Sequence, residues 1–189
     1  KQKRRTYLGA SSLGEACSRK IQYRYMGKQP DKDSEFSAKL LRIFQFGHTI
    51  EDMAHGWLVN AGFDLRSTDK NGEQFGFSIA DDKGHIDGVI CAGPDGIKYP
   101  MLWECKSAND KSFNEFVRKG LKEVNTVYAS QVALYQAYMD LTDNPALFTV
   151  INKNTCEIYY ELVPFDKHLA QKTSDKAVEI LNAVKHNEV

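Results

Sequence analysis

What this chain lacks already narrows its chemistry. It has no net charge, since 25 lysines and arginines meet 25 aspartates and glutamates over 189 residues. No run approaches the roughly 20 consecutive apolar residues that a membrane span needs, so no transmembrane helix and no membrane partner are expected. No charged segment followed by an apolar run opens the chain, so no signal peptide is expected. Cysteines are few: Cys17, Cys91, Cys105 and Cys156 stand far apart, with no C-x-x-C and no Cys/His cluster. That spacing gives no sign of zinc or iron–sulfur ligation. It does not form a disulfide scaffold either, and points to a reducing, cytoplasmic compartment. Repeats and low-complexity tracts are absent too. What remains, 42% apolar, 11% aromatic and 26% charged, is the composition of an ordinary globular protein, and the length predicts one domain over residues 1–189.

Neutrality argues against nucleic acid as a partner, but the charge is unevenly spread. Residues 1–28 carry eight basic side chains (Lys1, Lys3, Arg4, Arg5, Arg19, Lys20, Arg24 and Lys28) against Glu15 alone, a charge of +7. The rest of the chain sums to −7. Tyr7, Tyr23 and Tyr25 are interleaved with the basic residues. A cationic, aromatic-bearing segment beside an acidic body suits a phosphate backbone lying opposite a metal-binding centre. A solvated face with a frayed terminus would have the same composition.

The hydrophobic pattern alternates helices and strands. Ser12 with Glu15 three residues on forms a capping box, predicting a first helix that runs to about Met26 and stops at Gly27. The stretch Gly27–Glu35 is polar and reads as a loop. A long helix is predicted from Phe36 to Ala61, closed by Gly62. Strands are predicted at Phe75–Ala80, Gly84–Cys91 and Met101–Ser107, the last two joined as a hairpin through Ala-Gly-Pro-Asp-Gly at 92–96. Helices follow at about 111–123 and 126–141, the second broken by Asp143-Asn-Pro. Strands at Leu147–Asn152 and Glu157–Val163 and a closing helix at about 166–186 complete the chain. The fold class is therefore α/β (α+β), one central mixed β-sheet flanked by helices. A basic arm and first helix (1–28) precede a core (36–163) and a closing helix (166–189).

The acids and the lysine carry the chemistry. Strand period two puts Glu104 and Lys106 on one face, with Trp103 and Cys105 on the other, buried face. An isolated Glu-x-Lys is a common surface ion pair. The hairpin partner changes that, because Asp87 is the one acid in the run Gly84–Ile90 and pairing brings its carboxylate beside Glu104. Neighbouring carboxylates repel unless a proton or cation lies between them. A hard divalent ion such as Mg²⁺ or Mn²⁺ meets that need. On the long helix Phe44, Gly47, Glu51, Ala54 and Leu58 share a stripe, where Glu51 is costly unless paired or metal-bound. His48 is an extra ligand or a partly exposed hydrogen-bonding residue, and His55 reads as structural. Gln131 and Tyr135, four apart on one helix face, can orient a ligand or water beside the acids or sit at the rim of the core.

Together these residues resemble the PD-(D/E)XK nuclease superfamily in its RecB-like and lambda-exonuclease-like (YqaJ-type) branches, with a restriction-endonuclease-like core. The matching motifs are G-x-x-x-E at Gly47–Glu51, G-x-x-D-G around Asp87, E-x-K at Glu104–Lys106 and Q-x-x-x-Y at Gln131–Tyr135, in the family's order and spacing. Ser11–Lys20 also resembles the S-x-L-x-x-C-x-R-K opening of CRISPR-associated and helicase-linked RecB-like nucleases. Two departures stand out. Many RecB-like members have His where this chain has Glu51, which is closer to the lambda-exonuclease type. Cys17 has only Cys156 in the C-terminal third, where iron–sulfur relatives have three cysteines, so no cluster is expected.

The resemblance implies a Mg²⁺- or Mn²⁺-dependent deoxyribonuclease, an exonuclease of recombination, repair or phage DNA processing in a bacterial or phage-infected cell. One or two ions would be held by Asp87 and Glu104, with Glu51 and the Cys105 carbonyl, and His48 as the further candidate. Lys106 would position or deprotonate the attacking water, electrostatic positioning being favoured beside so many carboxylates. Gln131 and Tyr135 would orient the lysine, the water or the scissile phosphate. Ser12, Arg19, Lys20 and Arg24 are the candidates for DNA contact. The partner implied is DNA with a free end. A recombination partner protein and an oligomer are compatible with the resemblance, although no self-complementary segment identifies one. A structure- or sequence-specific endonuclease and a non-catalytic DNA-binding module on a nuclease fold are the alternatives.

Overall fold

The computed structural model describes residues 7–29, 37–79 and 82–186. Lys1, Lys3, Arg4 and Arg5 of the basic arm, residues 30–36, Ala80 and residues 187–189 lie outside that range. The expectations placed on them, including the start of the long helix at Phe36, lie outside it too.

The opening segment departs from the expected helix. Leu8–Gly9 forms a short strand, β1, and Ala10–Ser12 a 3₁₀ turn; the first α-helix, α1, begins only at Ser18 and runs to Met26. Ser12 is not a cap, because its hydroxyl donates to the Gly9 carbonyl at 2.8 Å. Glu15 is drawn to Lys20 and Arg24 instead of returning to a helix start. The reason is packing: Leu13 is buried, and a Cβ on Gly14 would stand 2.6 Å from Val127 Cα. The segment therefore lies flat across a later helix rather than coiling. Gly27 does stop α1, in the left-handed conformation (φ 63°), with the Lys28 N–H donating to the Tyr23 carbonyl at 2.9 Å.

The long helix α2 spans Ala38–Asn60, and its first turn is capped by Ser37, whose hydroxyl accepts from the Leu40 N–H at 3.1 Å. Seven strands follow across the rest of the chain: β2 (Asp64–Arg66), β3 (Gly76–Ile79), β4 (Asp82–His85), β5 (Gly88–Ala92), β6 (Met101–Ala108), β7 (Ala146–Asn152) and β8 (Ile158–Val163). Helices α3 (Asp110–Lys119), α4 (Leu121–Val124) and α5 (Thr126–Tyr138) lie between β6 and β7, and α6 (Lys167–Lys185) closes the fold. The helix expected over 111–123 is two helices, parted at Gly120 (φ 78°), where the Leu121 N–H donates to Glu161 at 2.8 Å. The helix expected to reach 141 ends at Tyr138, and Leu141 folds back to the Gln136 carbonyl at 2.8 Å.

The expected single mixed sheet is two sheets, in the orders β1-β4-β3 and β2-β5-β6-β7-β8. The strand expected over Gly84–Cys91 divides between them, with β4 in the small sheet and β5 in the large one. In the large sheet only β6 and β7 run parallel; its other neighbours are antiparallel. This is a mixed α/β architecture flanked by helices, as expected. Its two faces carry separate cores. On one face Ile50 and Ala54 of α2 meet Ile90, Trp103, Cys105 and Leu147. On the other Phe113, Phe116, Val132, Leu134 and Ile180 close over Leu102, Phe148 and Val150. No helix among the described residues is long and apolar enough to cross a membrane.

Candidate active site

Asp87 sits where the chain leaves one sheet for the other. Ile86 still belongs to the small sheet's side, its N–H donating to the Phe75 carbonyl at 3.0 Å. Gly88 begins β5 opposite Trp103. The two glycines around the break are needed for close approach. A Cβ on Gly84 would lie 2.6 Å from Phe77 Cε1 and 2.8 Å from Tyr135 Cε1, and one on Gly88 would lie 2.7 Å from Leu65 Cδ1. Because β5 starts only at Gly88, the Cys105 N–H of β6 has no strand partner on that edge. It donates instead to Asp87 Oδ2 at 2.7 Å. The carboxylate completes the ladder in place of a peptide carbonyl, which fixes it beside β6.

Glu104 and Lys106 share a face of β6, as strand periodicity requires, but that face is not open. Helix α5 covers it, just as α2 covers the Trp103 and Cys105 side, and Glu104 is fully buried. Lys106 donates to Glu104 Oε1 from a position one-fifth exposed (20%). Gln131 of α5 donates to the same oxygen at 2.7 Å. Glu104 Oε2 is buried without a hydrogen-bond partner. Tyr135, one turn beyond Gln131, is buried against Phe77 with ring centroids 5.7 Å apart. Burial, and then the charge of Glu104, push its hydroxyl well above the usual tyrosine range.

Glu51 reaches the same place from α2. Burial and then the neighbouring Asp87 raise its carboxyl to about 7. Burial and then Asp87 raise Glu104 to about 8. Burial also raises Asp87, opposed by Lys106 and by the Cys105 N–H. Burial lowers the affinity of Lys106 for its proton, but Glu104 and Asp87 outweigh it and hold the ammonium charged. Burial is the first cause for all three carboxyls, and for Glu51 and Glu104 the neighbouring Asp87 adds to it.

Among the described residues, no three His, Cys, Asp or Glu side chains are grouped as a ready-made metal site. The donor chemistry nonetheless fits a hard divalent cation. Asp87, Glu104 and Glu51 offer carboxylate oxygens against the single ammonium of Lys106, and Glu104 Oε2 is buried and unpartnered.

Around these residues opens a cleft of about 670 Å³, lined by His48, Glu51, Asp52 and His55 of α2, by Lys83 and His85 of β4, and by Tyr7, Ser11, Gln74, Asp87, Lys106, Gln131 and Tyr135. His48 stands out in solvent on the rim, 3.7 Å from Glu51. His55, read from sequence as structural, packs edge-on to Trp103 and also faces the cleft. The candidate DNA contacts Ser12, Arg19, Lys20 and Arg24 are not among the residues lining the cleft. Lys20 and Arg24 are both engaged by Glu15. Several site residues escaped the sequence reading. Lys83, whose ammonium lies 5.8 Å from the Tyr7 ring, carries no motif. Tyr128 lies with its ring centre 5.2 Å from the Lys106 ammonium. The only signal for Tyr128 was its place three residues before Gln131, on the same helix face.

No protein-family model matches this sequence. No curated protein matches it. Among solved structures, the chain is similar to an alkaline exonuclease, LHK-Exo, from Laribacter hongkongensis, with a TM-score of 0.66 at 14% identity, covering 98% of this chain and 91% of that one. The same enzyme in complex with dAMP gives a TM-score of 0.68 over the same spans and at the same identity. The protein SSO0001 gives 0.52 at 14% identity, covering 95% of this chain and 79% of that one. Over nearly its whole length, this chain has the fold of an alkaline exonuclease.

Proposed function

We propose that this chain is a divalent-metal-dependent nuclease of the PD-(D/E)XK type that hydrolyses DNA phosphodiester bonds from a free end. The observation that carries the reading is the sheet-to-sheet break at Asp87, which seats its carboxylate on the Cys105 N–H between Glu104 and Lys106. Such a break is an elaborate way to make a surface ion pair and an effective way to assemble a charged site inside a cleft. Likeness of fold to an exonuclease supports the hydrolytic class, and the dAMP complex of that neighbour supports a deoxynucleotide as the ligand chemistry.

Asp87, Glu104 and Glu51 are the side chains that would hold Mg²⁺ or Mn²⁺, with the Cys105 carbonyl as a further oxygen. A divalent ion bound there lowers the pKa of water and offsets charge on the phosphate oxygens. Lys106 keeps its proton, so it acts as a fixed positive charge that orients water and meets the charge developing on the phosphate, not as a base. Gln131 holds Glu104 by one oxygen and leaves the other for the cation. Tyr135, kept protonated by its surroundings, lines the cleft beside Gln131 and would help orient the water or the scissile phosphate.

The test is a time course on end-labelled linear DNA and on covalently closed circles, with Mg²⁺ or Mn²⁺, comparing the wild type with Asp87→Ala and Lys106→Met. Release of mononucleotides from linear DNA alone, lost in both variants, is the expected result. Cleavage of the circles would replace the exonuclease by an endonuclease. A wild type that binds DNA and cleaves neither form would leave a binding module.

A further inference from the structure

The catalytic lysine is held by more than its carboxylate. Tyr128 stands in the first turn of α5, and Asn125 fixes that turn by accepting from the Val127 and Tyr128 N–H groups, both at 3.1 Å. Gln131 follows one turn later on the same face. Helix α5 therefore touches both members of the buried ion pair. The Gln131 carboxamide donates to Glu104 Oε1 at 2.7 Å, and the Tyr128 ring lies 5.2 Å from the Lys106 Nζ.

We propose that Tyr128 is a positioning residue, which holds the Lys106 ammonium in place through the face of its ring and so keeps the ammonium's remaining N–H groups free for water and phosphate. The inference rests on the nuclease reading above. A lysine has three donors, and one is committed to Glu104. A second carboxylate or a carbonyl at the position of Tyr128 would anchor the ammonium equally well but would consume another donor and turn it from the cleft. An aromatic face attracts the cation without accepting a hydrogen. The ring also lies at the N-terminal turn of α5, where the helix dipole is positive and repels an ammonium. Its electron-rich face offsets that repulsion.

A cation–π contact to a partly desolvated ammonium corresponds to a change of about 3- to 30-fold in the population of the held geometry. The experiment measures kcat and KM on linear DNA for Tyr128→Phe, Tyr128→Trp and Tyr128→Leu, with Lys106→Met as the reference for loss of the lysine. The expected result is a kcat lowered about 10-fold in Tyr128→Leu with KM within about twofold of wild type, and near-normal kcat in Tyr128→Phe and Tyr128→Trp. A second series places phenylalanine, then mono-, di- and trifluorophenylalanine at 128, rings of nearly one shape and falling negative charge on the face. The logarithm of kcat should fall steadily along it, which packing alone would not produce, and this series decides the matter if Tyr128→Leu does not fold. A kcat in Tyr128→Leu equal to wild type, an equal loss in Tyr128→Phe, or a flat fluorine series overturns the role of the ring. A wild type without phosphodiesterase activity would end the nuclease reading itself. Activity abolished in Lys106→Met yet untouched in Tyr128→Leu would end only this inference.

Discussion

The two helices that build the cleft are opposites. Helix α5 is enclosed: eight consecutive residues, Ala129–Gln136, are buried between the sheet, α6 and the 3₁₀ turn. Helix α2 has 23 residues, of which only Ile50 and Ala54 are buried, and it shows Ile43, Phe46, Met53 and Trp57 to the outside. Although Gln136 Oε1 of α5 has no partner, polar side chains on an enclosed helix are mostly hydrogen-bonded. Its Gln131 is accordingly committed to Glu104, and through Glu104 to Lys106. A half-exposed helix can offer a carboxylate, Glu51, that solvent also serves. The cleft thus has one rigid wall that sets the geometry and one adaptable wall that contributes charge.

The strongest way to break this comparison is to neutralise one acid on each wall. Glu104→Gln should lower kcat by about 10³-fold or more, because it removes a charge whose position nothing else can supply. Glu51→Gln should cost closer to 10-fold, since Asp87 remains on its ladder donor. Single-turnover rates at saturating Mn²⁺ give both numbers, and equal losses would mean that the walls do not differ.

Stability should divide in the same way. Leu134→Ala opens a cavity in a fully buried position of α5 and should destabilise by about 2–5 kcal/mol. At about 2–4 °C per kcal/mol for a chain of this size, thermal melting would detect that easily. Trp57→Ala on α2, 39% exposed, should change stability by no more than about 1 kcal/mol. A smaller effect, and one that separates geometry from charge, is expected from Gln131→Ala. Losing a hydrogen bond to a charged group is worth roughly 1.5–3 kcal/mol of stability, so the melting temperature should fall by about 3–12 °C, and kcat should fall about 10-fold as Glu104 loses one of its two anchors. A kcat unchanged within twofold would show that Lys106 alone suffices to hold Glu104.

Much of this site could be read from the sequence because its chemistry is local. Glu104 and Lys106 are two apart on a strand, and Gln131 and Tyr135 four apart on a helix. Short periodicities of that kind survive whatever the tertiary fold does. What stayed hidden depends on distant partners. Ser12 and Glu15 make a sound capping box, yet Gly14 must press on the backbone of Val127 and no helix forms there. The run Gly84–Cys91 has a continuous strand pattern, and nothing local says that it changes sheets at Asp87. Strand β2 has Leu65 as its one buried residue, too little for any period. Gly120 was legible as a glycine but not as a break, because the break is held by Glu161, some forty residues away. Glu104 and Lys106 were expected to share the face opposite Trp103 and Cys105, and only the placement of α5 explains why that face is closed.

Among the described residues Asp82, Glu104 and Gln136 each keep a buried oxygen without a hydrogen-bond partner, and Asp82, the one that lacks a partner on both oxygens, gives the finest test. Asp82 of β4 is 3% exposed, and neither of its carboxylate oxygens has a hydrogen-bond partner. Burial raises it from 3.8 to about 6. Below pH 3.8 the carboxyl is neutral in both folded and unfolded chains and contributes nothing. Between 3.8 and 6 the folded chain binds the proton more tightly, so stability falls as pH rises, and above 6 the whole penalty is present. Asp82→Asn keeps the shape and removes the charge. It should therefore leave stability nearly unchanged at pH 4 and raise it at pH 8, by about 1–2 kcal/mol against a ceiling of roughly 3 that a two-unit shift allows. Melting curves of the two proteins at both pH values make the comparison. A gain of the same size at pH 4 would assign the effect to packing, and a loss at pH 8 would mean that the Asp82 carboxylate is satisfied in the folded protein after all.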